Sequence, residues 1–263
     1  GYHHGEASLN GAIVGMAQNY TGSNNINLFA PNGQFGTRLR GGKDSASERY
    51  IYTHLSPITR RLYPTADDQV LQYLDDDGMP VEPLYYAPII PMVLVNGTKG
   101  IGTGFSTDVM CYNPIDIIAH IRDRLATGAF TERKFIPYYE GFGGTISEVD
   151  EHKFLVRGRH ELVGTDKVRV TELPVGTWTD DFKEYLEKLT ETTDKAGKKV
   201  VPIVKDFDDM SKDTTVDITI TIPAGKLAEL HGKVIDPVTS CTELEKVLKL
   251  YTTGSTSNMH LFG

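Results

Sequence analysis

Apolar residues recur at three- and four-residue steps in some stretches of this chain and alternate with polar ones in others. Leu9, Ile13, Met16, Ala17 and Tyr20 follow the first pattern and predict a helix within residues 6–20. Ile115, Ile118, Ile121 and Leu125 predict an amphipathic helix from Pro114 to Ala126. A third helix is expected from Thr179, a candidate N-cap, to about Thr190, with shorter ones over 56–63, near 223–230 and near 240–250. Pro57 falls in the first turn of the 56–63 helix. Strands are expected at Ile26–Phe29, Tyr50–Leu55, Pro88–Val95, Val200–Val204, Thr215–Ile222 and Ser257–Phe262. Short alternating segments over 143–148, 153–158 and 167–172 predict an antiparallel meander. Helices and strands mixed in this order indicate an α+β chain. Its character changes between residues 128 and 142, which suggests one module over 1–135 and a second over 136–263.

Within the first module, a helix, a short strand and a basic glycine-rich loop resemble a winged-helix unit, whose helix enters the major groove of DNA while the wing touches the backbone. The loop reads Gln34-Phe-Gly-Thr-Arg-Leu-Arg-Gly-Gly-Lys43 and leads to Arg49-Tyr50. The formal net charge of −8 argues against a polyanionic partner, but it is unevenly spread. Residues 1–63 hold six Lys/Arg against three acids, a local +3, and the remainder sums to −11. Local field decides where a polyanion docks. Hydrophobic residues make up 39% and charged residues 24%, as in soluble globular proteins. No apolar run approaches the roughly 20 residues that span a bilayer, so no membrane partner is expected. Two cysteines far apart argue against a disulfide framework and fit a reducing, intracellular compartment. The chain opens at Gly1 without a signal pattern or an initiator methionine, as expected of a piece of a longer protein.

A tyrosine directly after an arginine suggests phosphoryl transfer. The phenol is a possible covalent nucleophile, and the guanidinium can hold a phosphate and stabilise developing charge. The plainer alternative is a basic hairpin with Tyr50 as one of 13 mostly structural tyrosines. Asp75-Asp76-Asp77-Gly78 fits a solvated turn better than a metal site, because no ligand spacing follows it. Glycines 100, 102 and 104 lack dinucleotide spacing. Between two of them Ile101 has little to pack on. It could be an apolar wedge that opens a DNA base step, or an ordinary buried loop residue.

Several stretches together resemble eukaryotic-type DNA topoisomerase II, a type IIA topoisomerase. They are Tyr2-His-His-Gly-Glu6, Gln18-Asn19, Gly22-Ser-Asn-Asn25, Gly33-Gln-Phe-Gly-Thr-Arg38, Gly41-Gly-Lys-Asp-Ser-Ala-Ser47 and Arg49-Tyr50. Pro88-Ile-Ile-Pro-Met-Val-Leu94, Asn96-Gly97, Gly100-Ile-Gly-Thr-Gly104, Glu172-Leu-Pro-Val175, Thr177-Trp-Thr179, Asp213-Thr-Thr-Val216 and Lys226-Leu-Ala-Glu229 continue the likeness in collinear order. The resemblance implies a winged-helix cleavage region followed by a "tower" domain. It implies that Tyr50 attacks a DNA phosphate to form a 5′-phosphotyrosyl link, that Arg49 stabilises the transition state and that His4 lies near the scissile phosphate. Tyr2, Ser8 and Trp178 fall where the family contacts DNA, Ile101 becomes the intercalating wedge, and Arg38 and Lys43, as cations of the basic loop, are further candidate DNA contacts. No metal site is expected here: Mg²⁺ and ATP would be bound by Toprim and ATPase domains that these residues do not include. The coiled-coil exit gate is also outside them. A nuclear homodimer acting on double-stranded DNA is the implied whole. Lys99 stands where the family often has an acid, and Ala7 where it often has a larger residue. Two rivals remain at this stage: a DNA-bending module without catalysis, and an interaction scaffold built on the acidic second module.

Overall fold

The computed structural model describes residues 1–129, 131–193, 196–223 and 225–261. Helix α1 (Glu6–Ala17) comes first, then α2 (Thr59–Leu62), the hairpin β1 (Tyr73–Asp76) and β2 (Met79–Pro83), and α3 (Met92–Val95). A second hairpin, β3 (Thr98–Gly102) and β4 (Phe105–Val109), leads to α4 (Pro114–Thr127). Next come β5 (Thr145–Asp150), β6 (Lys153–Arg157), β7 (Arg159–Val163), β8 (Lys167–Glu172) and α5 (Thr179–Leu189). The chain continues through β9 (Asp206–Asp209), β10 (Ile218–Thr221), α6 (Lys226–Gly232), β11 (Val234–Asp236), β12 (Cys241–Thr242), α7 (Glu243–Val247) and β13 (Tyr251–Ser255). The fold is α+β, as the patterning indicated.

Two cores organise it. One gathers Leu62, Ile90, Met92, Val95, Met110, Tyr112 and Ile117, and takes Phe154 from β6. The other packs Val168, Val170, Ile218 and Ile220 of a four-stranded sheet, ordered β7-β8-β10-β9, against Phe182 and Leu186 of α5 and Leu244 and Leu248 around α7. A three-stranded sheet, β13-β6-β5, joins them, because its last strand returns to pair with β6.

The long helices lie close to where periodicity placed them. Asn113 caps α4 by accepting from the Ile115 N–H at 2.9 Å, and Gly128 ends it at φ 69°, a left-handed conformation that glycine adopts without strain. Its buried face differs from expectation. Ile117 is buried with Ile118 and Ile121 against it, whereas Ile115 and Leu125 are exposed. Helix α1 stops at Ala17 because Gln18 is extended and its amide donates to the carbonyls of Phe35 at 2.9 Å and Gly42 at 3.3 Å.

Several expected strands do not form. Pro88–Val95 is buried in part but ends in the short helix α3, which starts after Pro91, a residue whose fixed φ suits a helix start. No ladder forms between Tyr50–Leu55 and Ile26–Phe29; the bridges here are isolated ones, Phe29 with Leu55 and, just beyond, Asn32 with Tyr52. Pro31 lacks an N–H there, and the Thr53 hydroxyl donates to the Ala30 carbonyl at 2.7 Å, so no continuous ladder develops. Val200–Val204 is irregular; the Val204 N–H closes the end of α5 on the Leu189 carbonyl at 3.2 Å. The strand follows at Asp206–Asp209, where acidic residues hide the alternation. Strand β7, just after Gly158, is not among the expected strands, and the final strand is 251–255 rather than 257–262, with Phe262 outside the described residues. Residue 224, within the helix expected near 223–230, is also outside them; α6 begins at Lys226.

A buried ion pair helps dock the glycine-rich loop on the second core. Arg38 is 6% exposed and Glu172, at the end of β8, is 4% exposed. The guanidinium donates to both carboxylate oxygens, through Nη2 to Oε1 and through Nη1 to Oε2. Glu172 also accepts from the N–H groups of Gly143 and Leu173, each at 2.9 Å. Breaking a buried pair strands the remaining charge at a cost of roughly 3–5 kcal/mol. Arg38→Ala is therefore expected to lower the unfolding free energy of the chain by about that amount. Urea titration monitored by circular dichroism measures it, and a loss of less than about 1 kcal/mol, the level of a surface pair, would refute the structural role.

Candidate functional site

The site is built on the loop from Gly36 to Asp44. Asp44 closes it by accepting from the Thr37 N–H at 2.8 Å and from the Thr37 hydroxyl at 2.5 Å, while the Gly42 N–H donates to the Thr37 carbonyl at 2.9 Å. The closure brings Gly36 so near Gly42 that a Cβ on Gly36 would meet backbone at 2.6 Å. On the other side, a Cβ on Gly41 would come within 2.3 Å of the Trp178 indole nitrogen. The glycines are thus required by contact as well as by their positive φ.

The loop's backbone does a second job. The first N–H groups of a helix lack intrahelical partners. At α5 the Thr179 N–H donates to the Arg38 carbonyl at 3.4 Å and the Asp180 N–H to the Leu39 carbonyl at 3.0 Å. Trp178 itself occupies the N-cap without a side-chain cap bond and packs edge-to-face on Tyr20, ring centroids 5.6 Å apart. Burial, then the charge of Asp44, raises the Tyr20 hydroxyl above its ordinary pKa. Arg40 and Lys43 remain exposed, with Arg40 3.7 Å from Asp180.

Beyond the loop, the Ala46 N–H donates to the Gln34 carbonyl at 2.9 Å, and residues Glu48–Tyr50 form a single 3₁₀ turn. The Tyr50 N–H donates to the Ser47 carbonyl at 2.9 Å. Tyr50 is therefore on a turn rather than in the expected strand. Its side chain is 75% exposed, and the Arg49 guanidinium, also exposed, lies 5.8 Å from its ring centroid. A free phenol and a free guanidinium side by side on an anchored turn can reach one external anion together.

The other expected residues occupy separate places. His4 and Tyr2 are exposed on the segment before α1, their rings edge-to-face at 5.5 Å, and Ser8 is exposed in the helix. Ile101 is 91% exposed near the tip of β3–β4, opposite Ser106. Gly100 and Gly102 leave open space beside it; a Cβ on either would touch only one atom, at 3.9 Å. Trp178 is half-buried. Arg38 corrects an expectation. As a cation of the basic loop it is a candidate DNA contact, but the side chain is buried and committed to Glu172, so its charge is not available to a polyanion.

Three structural side chains carried no local signal. Glu172 meets Arg38 across 134 positions. Asn25 donates to the carbonyls of Val95, Tyr112 and Tyr138 and accepts from Glu140 N–H at 2.8 Å. Asn96 pairs with both backbone groups of Ile26, at 2.9 and 2.8 Å. All three fall in stretches that carried the family resemblance, which marked them without assigning these partners. Among the described residues, no group of three or more His, Cys, Asp or Glu side chains is placed to hold a metal ion. Asp77 and Gly78 form the turn between β1 and β2 with φ of 54° and 85°, and Asp75 accepts from the Gly78 N–H at 2.8 Å.

Residues 1–263 match the family of the DNA gyrase/topoisomerase IV A-subunit. The chain is 48% identical over 262 residues to DNA topoisomerase 2 of Pisum sativum and 46% identical over 262 residues to DNA topoisomerase 2 top-2 of Caenorhabditis elegans. These alignments take in 99% of this chain but only 17% and 16% of the relatives, so the chain spans about one sixth of their length. A crystal structure of the DNA-binding, cleavage and re-ligation domain of Plasmodium falciparum topoisomerase II superposes with a TM-score of 0.88 at 40% identity, covering 99% of this chain and 33% of that one. With the family matched from the first residue to the last, the chain belongs to the A-subunit family of DNA gyrase/topoisomerase IV and, within it, to eukaryotic-type DNA topoisomerase II.

Proposed function

We propose that this chain is the winged-helix and tower portion of a type II topoisomerase cleavage core, with residues 1–135 as the cleavage region and 136–263 as the tower. The intact enzyme, an ATP-hydrolysing isomerase, cuts both strands of a DNA duplex, passes another through and reseals the break to relax or decatenate DNA. The observation that carries the reading is the exposed Arg49–Tyr50 pair on its anchored turn.

In the proposed chemistry the Tyr50 hydroxyl oxygen attacks a backbone phosphorus and loses its proton. The bond from phosphorus to the 3′ oxygen breaks, and that oxygen leaves as a hydroxyl. The 5′ phosphate stays on Tyr50. One phosphodiester replaces another, so the bond energy is kept and the reverse attack by the 3′ hydroxyl reseals the strand. Arg49 holds the phosphoryl oxygens as charge develops on them. His4 lies beside the same phosphate in this reading, where an imidazole can share the proton. Tyr2, Ser8, Lys43 and the edge of Trp178 contact DNA, and the exposed Ile101 enters a base step and bends the duplex. Mg²⁺ and ATP, both needed by the intact enzyme, are bound by its other domains in this reading. The working assembly is a homodimer on double-stranded DNA in the nucleus; fractionation of the tagged enzyme tests that location. A non-catalytic DNA-bending module shares the wedge but has no use for the Arg–Tyr pair.

Tyr50→Phe in the intact enzyme is expected to abolish covalent protein–DNA adducts while leaving DNA affinity nearly unchanged, because only the attacking oxygen is removed. Adducts that persist on denaturing gels would sink the assignment. Arg49→Lys keeps the charge but loses the planar fork. Cleavage should slow by roughly 100- to 1000-fold, as when one charge-stabilising donor is lost; a single-turnover rate within about threefold of wild type would show that a point charge suffices. Ile101→Ala should change the stability of the chain by no more than about 0.5 kcal/mol, as at other exposed sites. It should reduce DNA bending by the cleavage core, read by fluorescence transfer between labelled duplex ends, and cleavage with it. Unchanged bending refutes the wedge.

A further inference from the structure

The ribbon that carries Ile101 needs support from outside itself. Among the described residues β3 and β4 form a sheet of their own, and two strands alone are marginal in water. Gly100 and Gly102 lie in β3, where glycine adds backbone freedom and brings no side chain to pack. Residues 101–105, at the tip, are all exposed. Opening a DNA base step costs free energy, and a ribbon that yields under that load would leave the step closed.

The support is a strap, the irregular segment of residues 256–260 that follows β13. Its start is fixed, because β13 pairs with β6 from Tyr251 to Ser255 and the Thr256 N–H donates to the His152 carbonyl at 2.9 Å. Met259 packs on the first core, where the Tyr112 hydroxyl donates to its sulfur at 3.7 Å. The strap then follows the edge of β4 that faces away from β3. The Asp108 N–H donates to the Asn258 carbonyl at 2.8 Å. The Thr107 hydroxyl donates to the His260 carbonyl at 2.8 Å and accepts from the His260 N–H at 3.0 Å. The Asn258 side-chain amide donates to the Ser106 hydroxyl at 3.0 Å. Ser106 stands directly across the ribbon from Ile101. The contacts thus climb β4 from Asp108 and end at the pair that contains the exposed isoleucine.

We propose that Thr107 and Asn258 are positioning residues for DNA bending. They tie the ribbon, through the strap, to the first core and to the β13-β6-β5 sheet, so that the load on Ile101 is passed to both. The inference rests on the reading of Ile101 as the wedge. Neither side chain touches DNA in it; both act through the ribbon. The two residues are 151 positions apart, so residue order gives no hint of the link.

Thr107→Val keeps the shape of the side chain and removes its hydroxyl; Asn258→Ala removes the amide. Each is made in the full-length enzyme, and bending of a duplex labelled at both ends is read by fluorescence transfer. Each should lower the ratio of bent to straight duplex by roughly 3- to 10-fold, the equilibrium weight of a hydrogen bond or two. Thr107→Ser keeps the hydroxyl and should stay within about twofold of wild type, as ordinary surface changes do. A double-mutant cycle separates positioning from general support of the fold. With Ile101 present, loss of the bent complex also weakens binding. In an Ile101→Ala background, Thr107→Val should leave the dissociation constant for the duplex within about twofold, because the wedge it positions is gone. A loss of affinity there of more than about threefold would mean that the strap supports the fold at large, and overturns the proposal. Wild-type bending by Thr107→Val or by Asn258→Ala, where Ile101→Ala reduces bending, also overturns it and leaves the wedge standing. Unchanged bending in Ile101→Ala itself refutes the wedge, and this inference falls with it.

Discussion

The buried contact between Arg38 and Glu172 governs how the glycine-rich loop sits on the rest of the chain. Two ions taken from water need partners for their polar atoms, and the carboxylate finds them in the guanidinium fork and two backbone N–H groups. Burying charges in this way is rarely a net source of stability. Its effect here is one of selection. A loop displaced by a few ångströms would strand a carboxylate inside the second core, so alternative dockings are excluded. The same docking lets the Arg38 and Leu39 carbonyls satisfy the open end of α5.

That constraint reaches the proposed chemistry through the backbone. Gly36 touches Gly42, and Gly41 lies against Trp178, so the loop has no room to breathe around the ion pair. From Asp44 the chain runs through Ala46, tied to Gln34, to the 3₁₀ turn that ends at Tyr50. The exposed nucleophile candidate is thereby carried on a frame fixed at several points. Reactions that depend on orientation need such a frame, because misplacement by about 1 Å can cost 100-fold in rate. Arg38 supports catalysis in this reading by holding the loop, and Arg49 by meeting the substrate. The two arginines differ in burial and in partner, and neither difference is displayed by the sequence.

Local features of the fold could be read from residue order. The amphipathic α4, the helix from Thr179, the alternating strands after residue 143 and the turn at Asp77-Gly78 all depend on neighbours within a few positions. What could not be read depends on distant partners. Pro88–Val95 is apolar enough for a strand, and only its setting on the first core makes it end in a short helix. The acidic β9 is a strand because β10 lies beside it. The exposure of Ile101 is suggested by its flanking glycines, and that of Tyr50 is not legible among so many tyrosines. Arg38 misleads for a related reason. A cation in a basic loop looks like a surface group until its carboxylate, 134 residues away, is found.

Charge separates two of the three two-stranded ribbons among the described residues. Both β1–β2 and β3–β4 are two-stranded, and both expose large apolar side chains. On β3–β4, Lys99 is offset by Asp108 at 3.1 Å, and the glycines around Ile101 add no charge, so a polyanion can approach the tip without repulsion. On β1–β2, Asp75, Asp76, Asp77 and Glu82 make the same approach unfavourable. Apolar exposure alone says only that a surface is unfinished. The sign of the surrounding field narrows what can finish it: a duplex is compatible with the neutral ribbon and disfavoured at the acidic one. The cationic loop of residues 36–44 lies outside both ribbons, and its exposed charges, Arg40 and Lys43, bring the first quarter of the chain to a positive balance that an acidic total conceals.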